Sequence, residues 1–343
     1  MAMNSSSDAA IKEAFRAVTG KERDVLIRFL EGKNLIGPGP VIVTRLAGGV
    51  SNDVLAVHAP GVALVVKRAL GRLRVAEEWF ADPGRVLTEG AALSFASQSQ
   101  PGSVPDVLLI DPNELVVVIG HAGSNAHEWK EDLLAGRIDP TVSVELGRRL
   151  GRWHLDSHQS SEVMARFSNR TAFQQLRVEP FYQWVSRQQA DLSVTIGRVV
   201  ERMLDTRTCL VHGDLSPKNI LITPSRLWVI DWEVAHYGDP AFDIGFLLSH
   251  LACKALHMPS KTADYESVGR SFLSAYVTAV GDIISLDDSY LAAQTACLLL
   301  ARMDGKSPVT YLEPPAVARG RAIARSFLSE PGGTLDDLWS QLS

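Results

Sequence analysis

The segment LVHGDLSPKNILI, residues 210–222, encloses a short polar loop between two apolar runs. Asp214 and Asn219 in this loop have the D-x-x-x-x-N spacing of a phosphoryl-transfer loop, and WVIDWE puts Asp231 at the end of the next predicted strand. Phosphoryl transfer needs a carboxylate that orients the attacking hydroxyl and accepts its proton. It also needs oxygen ligands that hold Mg²⁺ against the phosphates. The segment therefore predicts a catalytic loop, and the alternative is an ordinary turn followed by a strand-end Asp.

The composition is that of an ordinary globular chain, with 343 residues of which 46% are hydrophobic and 21% charged. A net charge of −5 and a pI near 6.0 argue against a general nucleic-acid or anionic-membrane surface. The cysteines are scattered without a CxxC pair, which indicates buried thiols in a reducing compartment; they are Cys209, Cys253 and Cys297. With no signal-peptide pattern and no apolar run of membrane-spanning length, the expected location is cytoplasmic.

Hydrophobic periodicity divides the chain into a strand-rich first part and a helix-rich second part. The prediction is an α+β fold, with a small N-terminal antiparallel β lobe that carries one main helix and a larger, mostly helical C-terminal lobe. A hinge is expected near Gly120–Ser124. The expected divisions are an N-terminal helical extension at 1–36, a first lobe at 37–120 and a second lobe at 121–343.

Two polar features of the first lobe fit a phosphate site. In LAGGVSNDVLAV, small residues between two predicted strands would let backbone N–H groups approach an anion, although a simple hairpin turn explains the same pattern. These residues are Gly48, Gly49, Ser51 and Asn52. Lys67 ends an apolar strand and Glu89 follows 22 residues later in a predicted helix, so the two could pair across the lobe. A solvated strand-end Lys is the alternative.

HGDLSPKNIL, followed by VIDWEVAHYGDPAFDIGFLL, resembles the aminoglycoside phosphotransferase and choline kinase superfamily over about residues 40–310. Members of that superfamily are small-molecule kinases with a two-lobed protein-kinase-like fold. The resemblance implies that Asp214 is the catalytic base and that Asn219 and Asp231 are metal ligands. It implies that Lys67 binds the α- and β-phosphates of ATP and pairs with Glu89. It also makes the first lobe ATP-binding; the remaining nucleotide contacts it implies are Gly48, Gly49, Ser51, Asn52 and Gly120.

The resemblance gives two further residues a structural role. Asp243 in FDIG is expected to brace the loop, and His212 is expected to fix it by hydrogen bonding rather than to carry a proton. Asp231 is followed within 12 residues by FDIG, without an A-P-E motif, so there is little room for a peptide-substrate platform. No G-x-x-x-x-G-K-[ST] segment occurs, so the chain is not a P-loop enzyme.

The substrate is less well defined by the sequence. VVKRALGRLRVAEEWFADPGRVLTEGAAL is similar to 5-methylthioribose kinases, whereas Ser216–Asn219 and Asp231–Glu233 follow the general aminoglycoside-kinase pattern. Candidate substrate residues are Arg302, Lys306 and Glu233. A solvated helix end is the alternative for the first two, and for Glu233 the alternatives are support of the metal through water or a polar residue beyond the strand. An aminoglycoside would favour an acidic pocket, for which the candidates are Asp282, Asp287 and Asp288, with a solvated loop as the alternative. A choline-type substrate would need an aromatic cage, drawn from Trp232, Tyr237, Tyr265 and Tyr276.

Together these features predict an ATP- and Mg²⁺-dependent kinase that phosphorylates a hydroxyl of a sugar-like or amino-alcohol substrate, such as a methylthioribose-like sugar, an aminoglycoside or a choline-type molecule. The alternative is a nucleotide-binding pseudokinase or regulatory module without turnover. The chemical residues of both lobes are all present, which favours the enzyme. The expected partner is a small-molecule hydroxyl substrate; a homodimer is possible, and neither nucleic acid nor a membrane is expected.

Overall fold

The computed structural model describes residues 18–46, 51–74, 79–330 and 332–343. They fall into two compact units. Unit 1 holds the described residues up to Ser94 together with Pro105–Asn125, and unit 2 holds Phe95–Val104 and Ala126–Ser343. The segment boundaries predicted at residues 36/37 and 120/121 remain predictions.

An antiparallel sheet with the strand order β1-β2-β3-β5-β4 dominates the described part of unit 1. The elements are α1 (Gly20–Gly32), β1 (Ile42–Arg45), β2 (Asn52–Ala59), β3 (Val62–Ala69), the first part of α2 (Arg85–Ser99), β4 (Val107–Asp111) and β5 (Val116–Gly120). A two-residue turn, Pro60 and Gly61, joins β2 to β3, and Gly61 has the positive φ of +76° that such a tight turn requires. The core of the unit lies between α1 and the sheet; it includes Leu30, Val57, Leu64, Val66 and Val118.

Unit 2 is mostly helical. Its labelled elements are β6 (His127–Glu128), α3 (Trp129–Leu134), α4 (Pro140–Ser157), α5 (Ser161–Arg166), α6 (Thr171–Phe173), α7 (Trp184–Gln188), α8 (Ser193–Asp205), β7 (Cys209–Val211), β8 (Ile220–Ile222), β9 (Leu227–Val229), β10 (His236–Gly238), α9 (Pro240–His257), α10 (Thr262–Val280), α11 (Asp288–Asp304), α12 (Pro314–Ser329) and α13 (Leu335–Leu342). A π-helix spans Gln174–Gln183, and 3₁₀ turns span Ala190–Leu192, Pro217–Asn219 and Pro259–Lys261.

Helices α4 and α10 approach each other closely through glycine. A Cβ atom added at Gly147 would lie 2.2 Å from the carbonyl oxygen of Phe272, and one at Gly151 would lie 3.1 Å from that of Tyr276. Only glycine lets the two backbones come this near. This packing fixes α4, which carries His154 toward the loop described below.

Short strands and a capped helix hold the segment 210–222 that contains Asp214 and Asn219. β7 pairs with β10, and β8 pairs with β9 in a small sheet that also contains β6, so the polar loop runs from one small sheet to the other. Asp239 caps α9 by accepting a hydrogen bond of 2.9 Å from the Ala241 N–H, with Pro240 at the first helical position. The predicted α+β class, with an N-terminal antiparallel sheet and a mostly helical second part, is confirmed.

The prediction of buried thiols also holds. Cys209, Cys253 and Cys297 are buried free thiols. Within the described ranges, no helix combines the length and the apolarity needed to cross a membrane.

Candidate active site

The loop between β7 and β8 is braced by a buried carboxylate. Asp243, on α9, accepts hydrogen bonds from the N–H groups of His212 (2.7 Å) and Gly213 (2.8 Å) and is fully buried. Gly213 has a φ of +79°, and a Cβ there would lie 2.7 Å from the Val234 carbonyl oxygen, so glycine is required. Asp243 therefore fixes the loop backbone through these two hydrogen bonds, which is the structural role expected from the sequence.

The ring of His212 is committed to the backbone at both nitrogens. Nδ1 accepts a hydrogen bond of 3.0 Å from the Asp214 N–H, and Nε2 lies 3.0 Å from the Ile230 carbonyl oxygen, to which it must donate. Burial lowers the pKa of His212 and outweighs the opposing charges of Asp243 and Asp214. A neutral imidazole with both nitrogens occupied positions the loop and has no free site for carrying a proton.

Two cations hold Asp214. Its carboxylate lies 2.8 Å from the Arg177 guanidinium and 3.1 Å from the Lys218 ammonium, and the residue is 4% exposed. Burial alone would raise the pKa of the Asp214 carboxyl, but the charges of Arg177 and Lys218 outweigh it and keep that pKa below the ordinary value. Asp214 is thus an ionised carboxylate in a desolvated position. A base that takes the proton of a substrate hydroxyl must be ionised in this way.

Asn219 shares the loop with Asp214 and is oriented by it. The Asn219 Nδ2 donates to both the backbone oxygen and the carboxylate of Asp214, each at 2.9 Å. This turns the amide oxygen away from Asp214. Across the β8–β9 hairpin the Ile230 N–H donates to the Asn219 carbonyl oxygen at 2.9 Å, so Asp231 follows directly at the same end of the hairpin.

These oxygens fit a magnesium ion. Asp231 has a φ of +69°, an unusual conformation for a residue other than glycine and one that is enriched at functional sites. Mg²⁺ is usually held by one or two carboxylates plus phosphate oxygens and water rather than by a cage of protein ligands. The described residues contain no group of three or more His, Cys, Asp or Glu that could form such a cage. The Asn219 amide oxygen and the Asp231 carboxylate are the ligands that this chain would supply.

Unit 1 contains the second predicted constellation. Lys67, on the central strand β3, forms an ion pair of 2.5 Å with Glu89 of α2, and their exposures are 6% and 0%. The solvated-lysine alternative is therefore wrong. A buried ammonium held by one carboxylate is a point charge of the kind that binds phosphate oxygens.

Of the predicted glycine-rich segment, Gly48 and Gly49 lie outside the described residues. Ser51 is half-buried and Asn52 is 3% exposed at the start of β2. The buried Arg85 donates to the backbone oxygens of Ser51 (2.5 Å) and Leu70 (2.9 Å), so it fixes the end of this segment. Gly120 ends β5, and its N–H donates to the Asp106 oxygen at 2.9 Å.

Two of the three predicted substrate residues, Arg302 and Lys306, contact different aromatic rings. Arg302 is 8% exposed on α11, and its guanidinium lies over the rings of Phe181 (4.8 Å) and Phe246 (5.0 Å). The ammonium of Lys306 lies instead over the Trp184 ring at 4.9 Å. Glu233, two residues beyond Asp231, is 5% exposed. Arg302 is thus buried rather than a solvated helix end, whereas the Lys306 ammonium contacts the Trp184 ring.

The acidic candidate Asp287 and the four aromatic candidates have other contacts. Asp287 caps α11 and pairs with Arg202 at 2.9 Å, which is a structural use of that carboxylate. The hydroxyl groups of the three tyrosines contact different partners, and Trp232 packs edge-on against Trp153. The tyrosine hydroxyls contact the Thr208 oxygen (Tyr237), the Leu133 oxygen (Tyr265) and the His154 ring (Tyr276). These aromatic residues do not converge into a cage.

Sequence reasoning missed Arg177. It lies in the π-helix Gln174–Gln183, and besides contacting Asp214 it donates through Nε to the Gly213 carbonyl oxygen at 2.8 Å. The only sequence signal is Pro180 within an otherwise helical pattern, which indicates an irregular helix. It also missed Lys254 and His250, which lie in the apolar helix α9 and have no motif around them.

Residues 42–277 match the model of the phosphotransferase enzyme family, which is more than half of the chain. The chain belongs to this family. The family resemblance predicted from the catalytic-loop motifs is therefore confirmed.

Curated relatives include methylthioribose kinases. The chain is 28% identical over 222 residues to that of Yersinia pseudotuberculosis, a stretch that covers 57% of this chain and 54% of the relative. It is 25% identical over 231 residues to that of Pectobacterium atrosepticum, covering 60% and 57%. The chain thus spans about half the length of the curated relatives it matches.

Solved structures show the same fold. An amicoumacin kinase solved with AMP-PNP, Ca²⁺ and Ami aligns over 91% of this chain and 96% of its own, with a TM-score of 0.55 and 18% identity. A choline kinase from Cryptosporidium parvum aligns over 93% of each chain, with a TM-score of 0.52 and 14% identity. The predicted kinase-like fold is confirmed by these similarities.

Proposed function

We propose that this chain is an ATP- and Mg²⁺-dependent kinase that transfers the γ-phosphoryl group to a hydroxyl of a small molecule. The observation that carries the proposal is the Asp214–Asn219 pair. A buried, ionised carboxylate is hydrogen-bonded at 2.9 Å to the amide of Asn219, and Asp231 follows at the same hairpin end. The family model, the methylthioribose kinase relatives and a neighbour solved with AMP-PNP and Ca²⁺ support this assignment.

In the proposed reaction, Asp214 accepts a hydrogen bond from the acceptor hydroxyl and then its proton. The acceptor oxygen bonds to the γ-phosphorus, the bond from that phosphorus to the β-phosphate oxygen breaks, and ADP leaves. Asn219 and Asp231 would hold Mg²⁺, and the bound ion would neutralise phosphate charge that repels the nucleophile. Lys67, held by Glu89, binds the α- and β-phosphates. The acceptor class proposed is a sugar-like or amino-alcohol molecule, with methylthioribose as one candidate.

The alternative is a nucleotide-binding module without turnover. A coupled ADP-release screen of the full chain over sugars, sugar acids, sugar phosphates, amino alcohols and aminoglycosides distinguishes the two. The kinase proposal predicts acceptor-dependent ADP release that EDTA abolishes and that added Mg²⁺ restores. Nucleotide binding without acceptor-dependent release across the whole screen would favour the module instead. Release with 5-methylthioribose would establish that substrate, and its absence beside another active acceptor would exclude it.

A further inference from the structure

A group of basic side chains lies beside the catalytic loop in unit 2 and has no part in the reaction as described above. Arg302 of α11 donates from its guanidinium to the His250 Nε2 at 3.0 Å and to the Ser307 carbonyl oxygen at 2.8 Å. Lys254, one turn after His250 on α9, donates to the His250 carbonyl oxygen at 3.3 Å. The Lys254 ammonium lies 5.5 Å from the centre of the Tyr311 ring. We call Arg302, Lys254, His250 and Tyr311 the basic cluster.

Among the described residues, no carboxylate lies within ion-pair distance of Arg302 or Lys254. Arg302 is 8% exposed and Lys254 is 1% exposed, and within the described part of the chain neither forms an ion pair. Further along the chain, by contrast, Arg321 is paired with Asp304 at 2.6 Å. Buried charges in proteins are normally paired, because an unpaired one loses its hydration without compensation. A bound anion would therefore compensate the positive charge of the cluster.

Two polar atoms of the cluster also lack partners. The Nε of Arg302 and the hydroxyl oxygen of Tyr311 are buried and have no hydrogen-bond partner among the described residues. A guanidinium N–H and a phenol O–H can both donate to an anion. Buried donors left without acceptors are unusual in native proteins and call for an explanation. Each is a donor that an anionic group of a ligand would satisfy.

The cluster adjoins the proposed base. Arg177, which pairs with Asp214 at 2.8 Å, lies over the same two rings as Arg302, with 5.6 Å to Phe181 and 5.5 Å to Phe246. The charge of Asp214 acts on Arg302 and opposes the effect of burial on the Arg302 pKa. A molecule with its hydroxyl at Asp214 is therefore within a short span of the cluster.

The pKa values of Lys254 and His250 also indicate that the cluster would bind an anion. Burial lowers the pKa of Lys254 to about 7, and the nearby Lys130 and Arg302 add to the effect while Cys253 opposes it. Burial also lowers the pKa of His250 well below its usual value, again with Arg302, Lys254, Lys218 and Lys130 contributing. The positive field that disfavours these protonated forms would favour an anion and disfavour a cationic aminoglycoside or choline.

We propose that the acceptor carries an anionic group, a carboxylate or a phosphate, in addition to its reacting hydroxyl, and that Arg302 with Lys254 and Tyr311 binds this group. The inference rests on the proposed kinase function, because it assigns the substrate class of the same site. It distinguishes the chain from the neutral methylthioribose-type substrate that the sequence suggested.

The test uses matched acceptors in the ADP-release assay with the full chain: D-ribose 5-phosphate and D-ribonate against D-ribose and 5-methylthioribose, with choline and kanamycin as cationic compounds. At least one anionic compound should exceed its neutral counterpart in kcat/KM by about tenfold or more, as one or two charge-assisted hydrogen bonds allow. The phosphate and carboxylate arms identify which anion is bound. A preference for neutral or cationic acceptors would overturn the inference and leave the kinase function intact.

Variants separate substrate binding from a structural role. Arg302→Met should raise KM for the anionic acceptor about tenfold or more and leave KM for ATP within about twofold, with Arg302→Lys recovering part of the loss. Arg198→Met, at an exposed position of α8, is the matched control and should change neither constant. If Arg302→Met fails to fold, Lys254→Met serves as the second variant. Equal effects on anionic and neutral acceptors would overturn the inference.

A direct binding measurement keeps the inference testable if no acceptor is turned over. Wild type and Arg302→Met would be titrated calorimetrically with inorganic phosphate and with acetate at constant ionic strength. Binding to wild type that the variant loses would support the anion site even though the kinase proposal had failed. Equal binding to the two proteins, or none to wild type, would overturn the anion site.

Discussion

The carboxylate of Asp214 lies 2.8 Å from the guanidinium of Arg177, and the same guanidinium donates to the Gly213 carbonyl oxygen next to it in the loop. A single side chain from an irregular helix therefore helps both to keep the pKa of the proposed base low, together with Lys218, and to position its backbone, together with Asp243. Neither the spacing of the loop motif nor the periodicity of the π-helix segment indicates this contact.

Replacing Arg177 by Met should lower kcat about tenfold or more, because Asp214 would lose a buried charge-assisted hydrogen bond that orients it. KM for ATP should change little, and Arg177→Lys should restore part of the rate. Arg187→Met, at an exposed site on the neighbouring α7, is the control. Steady-state kinetics of the four proteins decide the question. If Arg177→Met lowers the melting temperature but leaves kcat normal, the role of Arg177 is purely structural.

The buried pair Lys67–Glu89 should be coupled in both stability and nucleotide binding. Removing one partner of a buried pair costs about 3–5 kcal/mol, because the remaining charge is left uncompensated. Lys67→Met and Glu89→Gln should therefore each lower the free energy of unfolding and weaken ATP binding. The double variant Lys67→Met/Glu89→Gln should be less destabilised than the sum of the two.

The exposed pair Glu266–Arg270 provides the control for this cycle, since Glu266→Gln should change stability by no more than about 1 kcal/mol. Denaturant unfolding and nucleotide titration measure both effects. Strictly additive losses for Lys67 and Glu89 would mean that the two side chains do not act as a pair.

Gly147 should tolerate no side chain. A Cβ there would lie 2.2 Å from the Phe272 carbonyl oxygen, so Gly147→Ala must push α4 and α10 apart and should destabilise unit 2 by about 1–3 kcal/mol. Gly197, in the exposed part of α8, has nothing within 4 Å of an added Cβ. Gly197→Ala should instead stabilise the helix by about 0.5–1 kcal/mol. Thermal unfolding of the two variants gives opposite shifts, and a neutral Gly147→Ala would contradict the close packing.

Lys254 should lower stability in a manner that depends on pH. Burial lowers its pKa to about 7 in the folded chain, below its ordinary value of 10.5, so between these limits the unfolded chain binds the proton more strongly. Stability contributed by this group therefore rises with pH through that window and is lowest below pH 7. Lys254→Met should raise the melting temperature most at pH 6.5, with a gain that shrinks toward pH 10. A gain that does not vary with pH would contradict the buried charge.

Much of the proposed site could be predicted from the sequence because its chemistry depends on local spacing. Asp214 and Asn219 lie on one short loop, so their five-residue separation already places them together. For Lys67 and Glu89 the strand and helix patterns left a solvated lysine open, and it was the family resemblance that implied their pairing. The family resemblance and the fold class are likewise confirmed by the comparisons.

The remaining contacts depend on packing between elements distant in the chain. Arg302 reaches His250 across 52 positions, and Arg177 reaches Gly213 across 36, so no local pattern records either contact. For Lys306, nearness in sequence suggested a shared role that the contacts do not support. It is close to Arg302 in sequence, but the chain turns at Gly305 and directs the Lys306 ammonium to Trp184. Proximity in sequence was a poor guide where a helix ends.

The most direct test of the account is the turnover of Asp214→Asn, assayed with the best acceptor from the screen beside an independent measurement of ATP binding. The substitution keeps the size of the side chain and removes the proton acceptor. We expect kcat to fall by about 10²–10⁴-fold while ATP affinity stays close to that of wild type. Turnover by Asp214→Asn at the wild-type rate would contradict the assignment of Asp214 as the base.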